Sequence, residues 1–454
     1  MYGGRLRGLP PLRIPAGGAA GRGGERCPFA IVYHLYTPKY PVLTDTRFVI
    51  IGGGVAGLVA ALTLEAAGHA PLILESEDEP GGRMRTDLVD GFRLDRGFQV
   101  LLTDYPEVKR YLDLEALNVQ PFRPGGHVHT RQQHFRFADP LREPAQLFRS
   151  LLSPVGTLND KIRLAQLGIS VRRITAEDCF ADHTSRPTMD YLWDYGFSEQ
   201  IVERFFRPFF GGIFLEQQLE TPAALFRFVL KMFAQGSAVL PAEGIQAVPR
   251  QLAARLQRTE IRTNSRVTAV EGDRVRLDDG SSLTARAIIV ACPPGPLFPQ
   301  LAGEPQRWKS TTNLYFYSNR RQKENRLINL VADPTSTINT FSVVDEVAPT
   351  YKLHQQGGSL ISVSLKERPD SDSIAQVEQD LLRHTRLPND ALSFIRRYDI
   401  PQALPEVNPV AYRYDATQSR LAERIFLAGD QQLNGSLDAA LRSGRLAAEG
   451  ALHT

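Results

Sequence analysis

Apolar residues in this chain fall into short unbroken runs separated by stripes of helical period. Phe48-Val49-Ile50-Ile51 is such a run, short enough for a strand buried on both faces. Leu58, Ala61, Leu62 and Leu64 then share one side of a helix that Gly68 is placed to end, and Pro71-Leu72-Ile73-Leu74 returns as a second strand. Residues 90–101 read as a hairpin strand, a turn and a second apolar strand. From 121 to 239 the pattern predicts helices. Leu147, Leu151, Leu152, Ile162, Leu164, Leu167 and Ile169 recur at near-helical spacing, punctuated by Pro140, Pro144, Pro154 and Pro187. A helix through Leu252 and Leu256 precedes strands at 260–262, 266–270, 274–277 and 287–291, with Asp279-Gly280 as a turn. Strong alternation marks strands at 311–317 and 358–365. The chain closes on an apolar strand, 424–428, and a helix from about Ser436 through Leu441, Gly444 and Ala448.

The first strand, helix and return strand form a βαβ unit with specific chemistry. Gly52, Gly54 and Gly57 stand at Gly-x-Gly-x-x-Gly spacing, and Glu75 closes the second strand eighteen positions past Gly57, near the offset of about 20 typical of dinucleotide-binding folds. The first glycine permits the tight turn, the second admits a diphosphate close to backbone, and the third lets helix pack on sheet. The helix N-terminus offers unpaired N–H groups to the anion. Glu75 is suited to accept hydrogen bonds from ribose hydroxyls and to repel a 2′-phosphate, so FAD or NAD is expected rather than NADP. A glycine-rich turn that binds nothing is the alternative, and the surrounding strand, helix and terminal acid weigh against it.

The continuation Pro80-Gly81-Gly82-Arg83-Met84-Arg85-Thr86 resembles the flavin-dependent amine oxidase and phytoene desaturase superfamily, residue for residue at Glu75, Gly81, Gly82 and Arg83. The resemblance covers about 48–452, strongly at the two ends. It implies an α/β fold: a Rossmann-like FAD-binding domain with an inserted α+β substrate domain, as in p-hydroxybenzoate-hydroxylase-like two-domain flavoproteins. The expected parts are FAD-binding segments at 46–120, 240–296 and 411–454, a helical substrate segment at 121–239 and a substrate sheet at 297–410. By the same resemblance Arg83 and Gly82 meet the FAD diphosphate, the Val267 backbone meets adenine, and Gly97 lies beside the flavin. Gly429 and Asp430 meet the ribityl or phosphate region, and the last helix points its N-terminus, at Ala439, toward the pyrimidine end. That dipole stabilises the negative charge left by hydride uptake. The segment Arg204-Phe205-Phe206-Arg207-Pro208-Phe209-Phe210-Gly211-Gly212-Ile213-Phe214 corresponds to one that lines the cavity over the flavin, although core packing is the stronger reading for most of its rings.

Four departures bear on the reaction. Relatives carry glycine where Ala439 stands. The lysine that holds a water in typical amine oxidases is replaced by Thr312 and Asn313, with Lys309 just before the strand. The paired tyrosines that sandwich an amine are not evident. No cysteine sits in the C-terminal segment, so FAD is expected to be non-covalent.

A net charge of +3 and the absence of a basic stripe interleaved with aromatics exclude nucleic acid as a partner class. Cys27, Cys179 and Cys292 are too scattered for a disulfide framework or zinc site, which suits a cytoplasmic, reducing interior, and no metal is expected. Residues 1–45 are rich in Gly, Pro and Arg, with Glu25 the only acid before Asp45. A disordered or artefactual tail is favoured, and an organelle transit segment is the alternative. The patch Phe29-Ala30-Ile31-Val32 makes a poor secretory core, and no apolar run spans a bilayer, leaving only peripheral membrane contact open. His127, His129, His134, His183 and His354 are scattered in sequence, and no proton acceptor or other catalytic residue is assigned.

The expected activity is hydride transfer from a C–H bond of an organic, apolar substrate to flavin N5, desaturase-type, with reoxidation by oxygen, a quinone or another carrier. Amine oxidation, a redox-neutral flavin isomerase and a non-catalytic FAD-binding protein are the alternatives.

Overall fold

The fully buried strand Phe48–Ile51 pairs in parallel with Leu72–Leu74 on one side and Ala287–Val290 on the other. In the computed structural model it stands inside a six-stranded sheet ordered Glu260–Arg262, Leu72–Leu74, Phe48–Ile51, Ala287–Val290, Ile425–Leu427 and Arg420–Ala422. Five of these strands are parallel and the last is an antiparallel edge. The structure describes residues 48–138, 142, 152–182, 184–298, 306–324, 326–353, 357–366 and 374–454. The expectations placed on 1–45, Pro140, Pro144, Leu147, Leu151, His183 and His354 lie outside them.

Strand order reverses at Phe48–Ile51, because the chain leaves it first toward Leu72–Leu74 and later fills the other side. Such a switch point opens a crevice at the carboxyl ends of the strands. The helix Val55–Ala66 leaves from that end, buries Leu58, Ala61 and Leu64, and turns at Gly68 (φ +89°). The last helix, Leu437–Leu452, packs against it so closely that a Cβ on Gly444 would lie 2.1 Å from the Ala56 carbonyl oxygen.

The second sheet has seven strands: Leu392–Pro405, Trp308–Ser318, Ser359–Leu365, Ile338–Val343, Ile328–Val331, Gly125–His129 and His134–Ala138. One face carries Leu314, Phe316, Phe341, Ile361 and Val363, which bury Val377 and Leu381 of the helix Ile374–Thr385. Register places Asn313 beside Ser364, and Tyr315 beside Ser362 and then Ser342, on the opposite face.

Two sequence expectations are corrected. The stretch 121–239 is not helical throughout: Gly125–His129 and His134–Ala138 form an antiparallel hairpin at the edge of the second sheet. Alternation of Gly126 and Val128, then Phe135 and Phe137, is period-two over lengths too short to stand out against the helices that follow. Helices do occupy Leu158–Arg173 and Ala223–Gln235, but Ile162 and Ile169 of the apparent stripe face solvent. The hairpin expected within 90–101 is displaced toward the N-terminus. Its strands are Thr86–Val89 and Phe92–Asp95, and the turn is Asp90-Gly91, both at positive φ as a tight hairpin requires.

Among the described residues, no helix is long and apolar enough to cross a membrane.

Candidate functional site

The crevice at the switch point is built largely from backbone. Gly52 (φ +105°) turns the chain out of its strand, and a Cβ on Gly57 would sit 2.0 Å from the Gly52 carbonyl oxygen, so only glycine lets helix and turn nest. Gly54 is different. Its φ and ψ are ordinary for any residue, and an added Cβ would find nothing nearer than the Gly82 Cα at 3.9 Å. Its missing side chain leaves open space over the N-terminus of Val55–Ala66, where no side chain caps the helix and no acid occupies the first turn. Unpaired N–H groups beside a clear approach are what a phosphate needs.

Glu75 lies buried at the end of Leu72–Leu74. Its Oε2 accepts from the Gly53 N–H at 2.6 Å, and its Oε1 from the Glu77 N–H at 2.9 Å. The Glu75 carbonyl accepts from the Ser265 N–H (2.8 Å), which brings Val267, two residues on, to the same end. Val267 opens the small antiparallel sheet Val267–Glu271, Arg274–Leu277 and Ser282–Thr284.

The C-terminal motif closes on this cradle. Arg83 donates to Asp430, 347 positions further on, and to the Ala403 carbonyl at 3.0 Å, while its guanidinium lies over the Trp308 ring. The Gly429 N–H donates to Ser443 Oγ (2.9 Å), tying the strand exit to the last helix. Ser436 caps that helix by accepting from the Ala439 N–H at 3.1 Å, and Ala439 itself is buried. Behind the cap is a charge network that the sequence did not reveal. Glu107 accepts from Arg442 (3.1 Å) and Arg445 (2.9 Å), Arg442 also meets Asp438 (3.0 Å), and Asp438 accepts from the Glu107 N–H. Burial pushes the Asp438 carboxyl above its ordinary range despite Arg442.

These groups fit FAD. The clear approach at Gly54, which Gly82 borders so closely that a Cβ on it would lie 3.2 Å from the Gly54 Cα, and the uncapped helix would receive its diphosphate, Glu75 a ribose, and Arg83, Asp430 and the last helix the ribityl and ring end.

The polar face of the second sheet looks toward this half. Tyr315 donates to the Asp95 carbonyl (2.9 Å), and Tyr351 to the Asp95 carboxylate (2.6 Å), which also accepts from Thr86 and the Ile245 N–H. Burial holds the Asp95 carboxyl above the usual range even against those three bonds. Asn313 bonds Ser362 and Ser364, both at 3.1 Å. Lys309 is not before the strand, as the sequence suggests, but within Trp308–Ser318, because pairing with Leu392–Pro405 continues across a bulge to Lys309 and Trp308. It is committed to Glu216 and to Thr221 Oγ1 (3.2 Å). Of the phenylalanine-rich segment, Phe205, Phe206, Phe210 and Phe214 are core, and among its large apolar side chains Phe209 and Ile213 stay partly exposed.

The histidines are not scattered in space. His127, His129 and His134 gather with His384 at the far edge of the second sheet, His129 directly opposite His134 across the hairpin. The signal was present: His127 and His129 alternate on one strand face, and His134 follows a turn later. Burial pulls His129 down to about 2 and His384 to about 4, so both are neutral at pH 7.

Against known proteins, the profile of the flavin-containing amine oxidoreductases matches residues 55–452. A coproporphyrinogen III oxidase of Propionibacterium freudenreichii is 27% identical over 183 residues, 38% of this chain and 33% of that protein. A phytoene dehydrogenase of Streptomyces griseus is 45% identical over 67 residues, 15% of this chain and 13% of its own. The chain thus spans a third or less of these two relatives. Putrescine oxidase, solved with putrescine bound, superposes with a TM-score of 0.64 at 17% identity, covering 90% of this chain and 99% of its own, which shows the two-domain flavoprotein fold. With a family profile running from the first helix to the last, over a cradle whose open spaces suit FAD, the chain belongs to the flavin-containing amine oxidoreductase family and is an FAD-dependent oxidoreductase acting with a small-molecule substrate and an electron acceptor.

Proposed function

We propose that this enzyme removes a hydride from a C–H bond of an organic, largely apolar substrate, in a desaturase-type reaction rather than an amine oxidation, with FAD held non-covalently. The observation that carries this reading is Asn313. With Thr312 it stands where the resemblance expects a water-holding lysine, it lies on the polar face, it is fully buried, and its amide is held by Ser362 and Ser364 at 3.1 Å. The lysine of the same strand, Lys309, is engaged by Glu216 and Thr221.

A bound flavin supplies hydride uptake, followed by reoxidation by oxygen, a quinone or another carrier. The chain's own part is to hold and enclose. Asn313, Ser362 and Ser364 fix each other's dipoles, so the sheet face presents an ordered polar roof with no titrating base. Phe209 and Ile213, partly exposed on the helix Arg207–Phe214, give the apolar reading its support. Non-covalent binding is supported by the described cysteines. Cys179 and Cys292 are both off the last helix, and burial raises each thiol to about 11.

The test is an anaerobic substrate screen read by loss of flavin absorbance. Apolar compounds able to yield a conjugated alkene should bleach the flavin. Bleaching by primary or secondary amines alone would overturn the proposal.

A further inference from the structure

Three buried or half-buried imidazoles meet where the hairpin Gly125–His129/His134–Ala138 passes the end of the helix Ile374–Thr385. His129 and His384 are 1% and 3% exposed, and His134 is half-buried. Among the described residues, Nδ1 of His129 and both ring nitrogens of His384 have no hydrogen-bond partner. A histidine packed for structure alone satisfies its nitrogens, since a buried polar atom without a partner loses its hydration for nothing. Two such rings at one junction, each able to offer one of these nitrogens, call for a shared partner.

We propose that His129, His134 and His384 bind one divalent transition-metal cation of the zinc type. One nitrogen from each ring lies within 4.8 Å of the other two. A tetrahedral zinc with nitrogen ligands at about 2.1 Å needs them about 3.4 Å apart, so the rings must close modestly. His134, half-buried at the start of the edge strand, is the least enclosed of the three rings, so closing the gap falls to it. The second shell is in place: His129 Nε2 is 2.9 Å from Asn329 Oδ1, which holds the proton on Nε2 and leaves the Nδ1 lone pair for the cation. Imidazole-only sites select zinc, copper, nickel or cobalt over magnesium or calcium.

A cavity of about 540 Å³ opens beside the cluster, lined by His127, His134, His384, Glu324, Arg136 and Arg386. It supplies room for water as a fourth ligand. Glu324, bonded to His127 at 2.8 Å, offsets the two arginines, and Asp333, buried with one carboxylate oxygen unpartnered, adds negative charge near His384. The site is remote from the flavin cradle. Four strand spacings, roughly 20 Å, separate Gly125–His129 from Trp308–Ser318, whose Trp308 touches Arg83. The cation would pin the helix to the sheet edge rather than join the redox chemistry.

The test uses the full FAD-loaded chain, stripped with a chelator and titrated with Co²⁺, then Zn²⁺. One equivalent of Co²⁺ should bind with the visible bands of a tetrahedral nitrogen site, and Zn²⁺ should displace it. His134→Ala and His384→Asn should each abolish those bands while flavin absorbance persists. Asn329→Leu should weaken binding about 10- to 100-fold, and His453→Ala, at the chain end, should leave it unchanged. His384 is buried and its replacement can unfold the edge, so the half-exposed His134→Ala decides in that event. The proposal is overturned if the unaltered protein takes up no Co²⁺ at millimolar concentration, or if binding survives His134→Ala.

Discussion

In the six-stranded sheet the working surface is backbone: glycines, helix N-termini and one carboxylate, held within a few ångströms by a turn that admits no Cβ at Gly57. The seven-stranded sheet works with side chains instead. Asn313, Ser362 and Ser364 hydrogen-bond across neighbouring strands, and Tyr315 reaches over to Asp95. A cofactor common to a whole family asks for a fixed cradle, which backbone provides. A substrate differs from one enzyme to the next, and strand side chains can be exchanged without refolding the sheet. The comparison teaches that damage to the first half should remove the flavin, whereas damage to the second should change what the flavin oxidises.

The sharpest way to break that contrast is Gly57→Val. The added atoms collide with the Gly52 carbonyl, so the expected product is unfolded or flavin-free, measured as the ratio of flavin to protein absorbance. Next is Glu107→Ala, which removes the carboxylate that Arg442 and Arg445 share and leaves Arg442 with Asp438 and Arg445 with Glu449. Breaking a buried pair outright costs about 3–5 kcal/mol, and with these second partners kept the loss read from urea unfolding should fall at or below the lower end. Glu75→Gln retains shape but loses the charged acceptor. At about 1.5–3 kcal/mol for bonds to an ionised group, FAD affinity should fall roughly 10- to 100-fold while the fold persists, checked by flavin fluorescence titration.

A smaller effect distinguishes the junction between the halves. The folded Asp95 carboxyl titrates above its ordinary 3.8, so the protonated form is the one the fold favours. Its contribution is complete below that ordinary value and is lost as pH rises through the raised one. Asp95→Asn should therefore gain on the unaltered protein across that rise, seen as diverging unfolding midpoints from acid toward neutral pH. Smallest of all is Arg250→Ala. Its pair with Glu79 is solvent-exposed, and its loss should shift stability by under about 1 kcal/mol.

The same contrast explains what could be read from the sequence. Gly52, Gly54, Gly57, Glu75 and Gly82 fall within about thirty residues, because a βαβ unit is local and its spacing is set by helix and strand lengths. Arg83 could be found by its motif, but its bond to Asp430 could not, since that partner arrives from the other end of the chain. Of the roof, Asn313 could be noted as a departure and both strands predicted, but its bonds to Ser362 and Ser364 could not, because short polar residues on alternating strands look solvent-facing until both sides of the sheet are covered. The Gly125–Ala138 hairpin was hidden among helices for the same reason of length, and with it the meeting of its three histidines with His384, which lies on a helix 250 positions after His134. Phenylalanine density at 205–214 marked a real packing centre, yet composition alone did not tell the buried rings from the half-buried Phe209.

The embrace of Val55–Ala66 by Leu437–Leu452, with Gly444 pressed on Ala56, has a bearing on biosynthesis. On the ribosome, the first helix emerges hundreds of residues before the segment that covers its flank, and Arg83 waits as long for Asp430. Flavin capture is therefore a late event in synthesis, and ribosome-bound chains arrested ahead of residue 430 should carry no yellow chromophore.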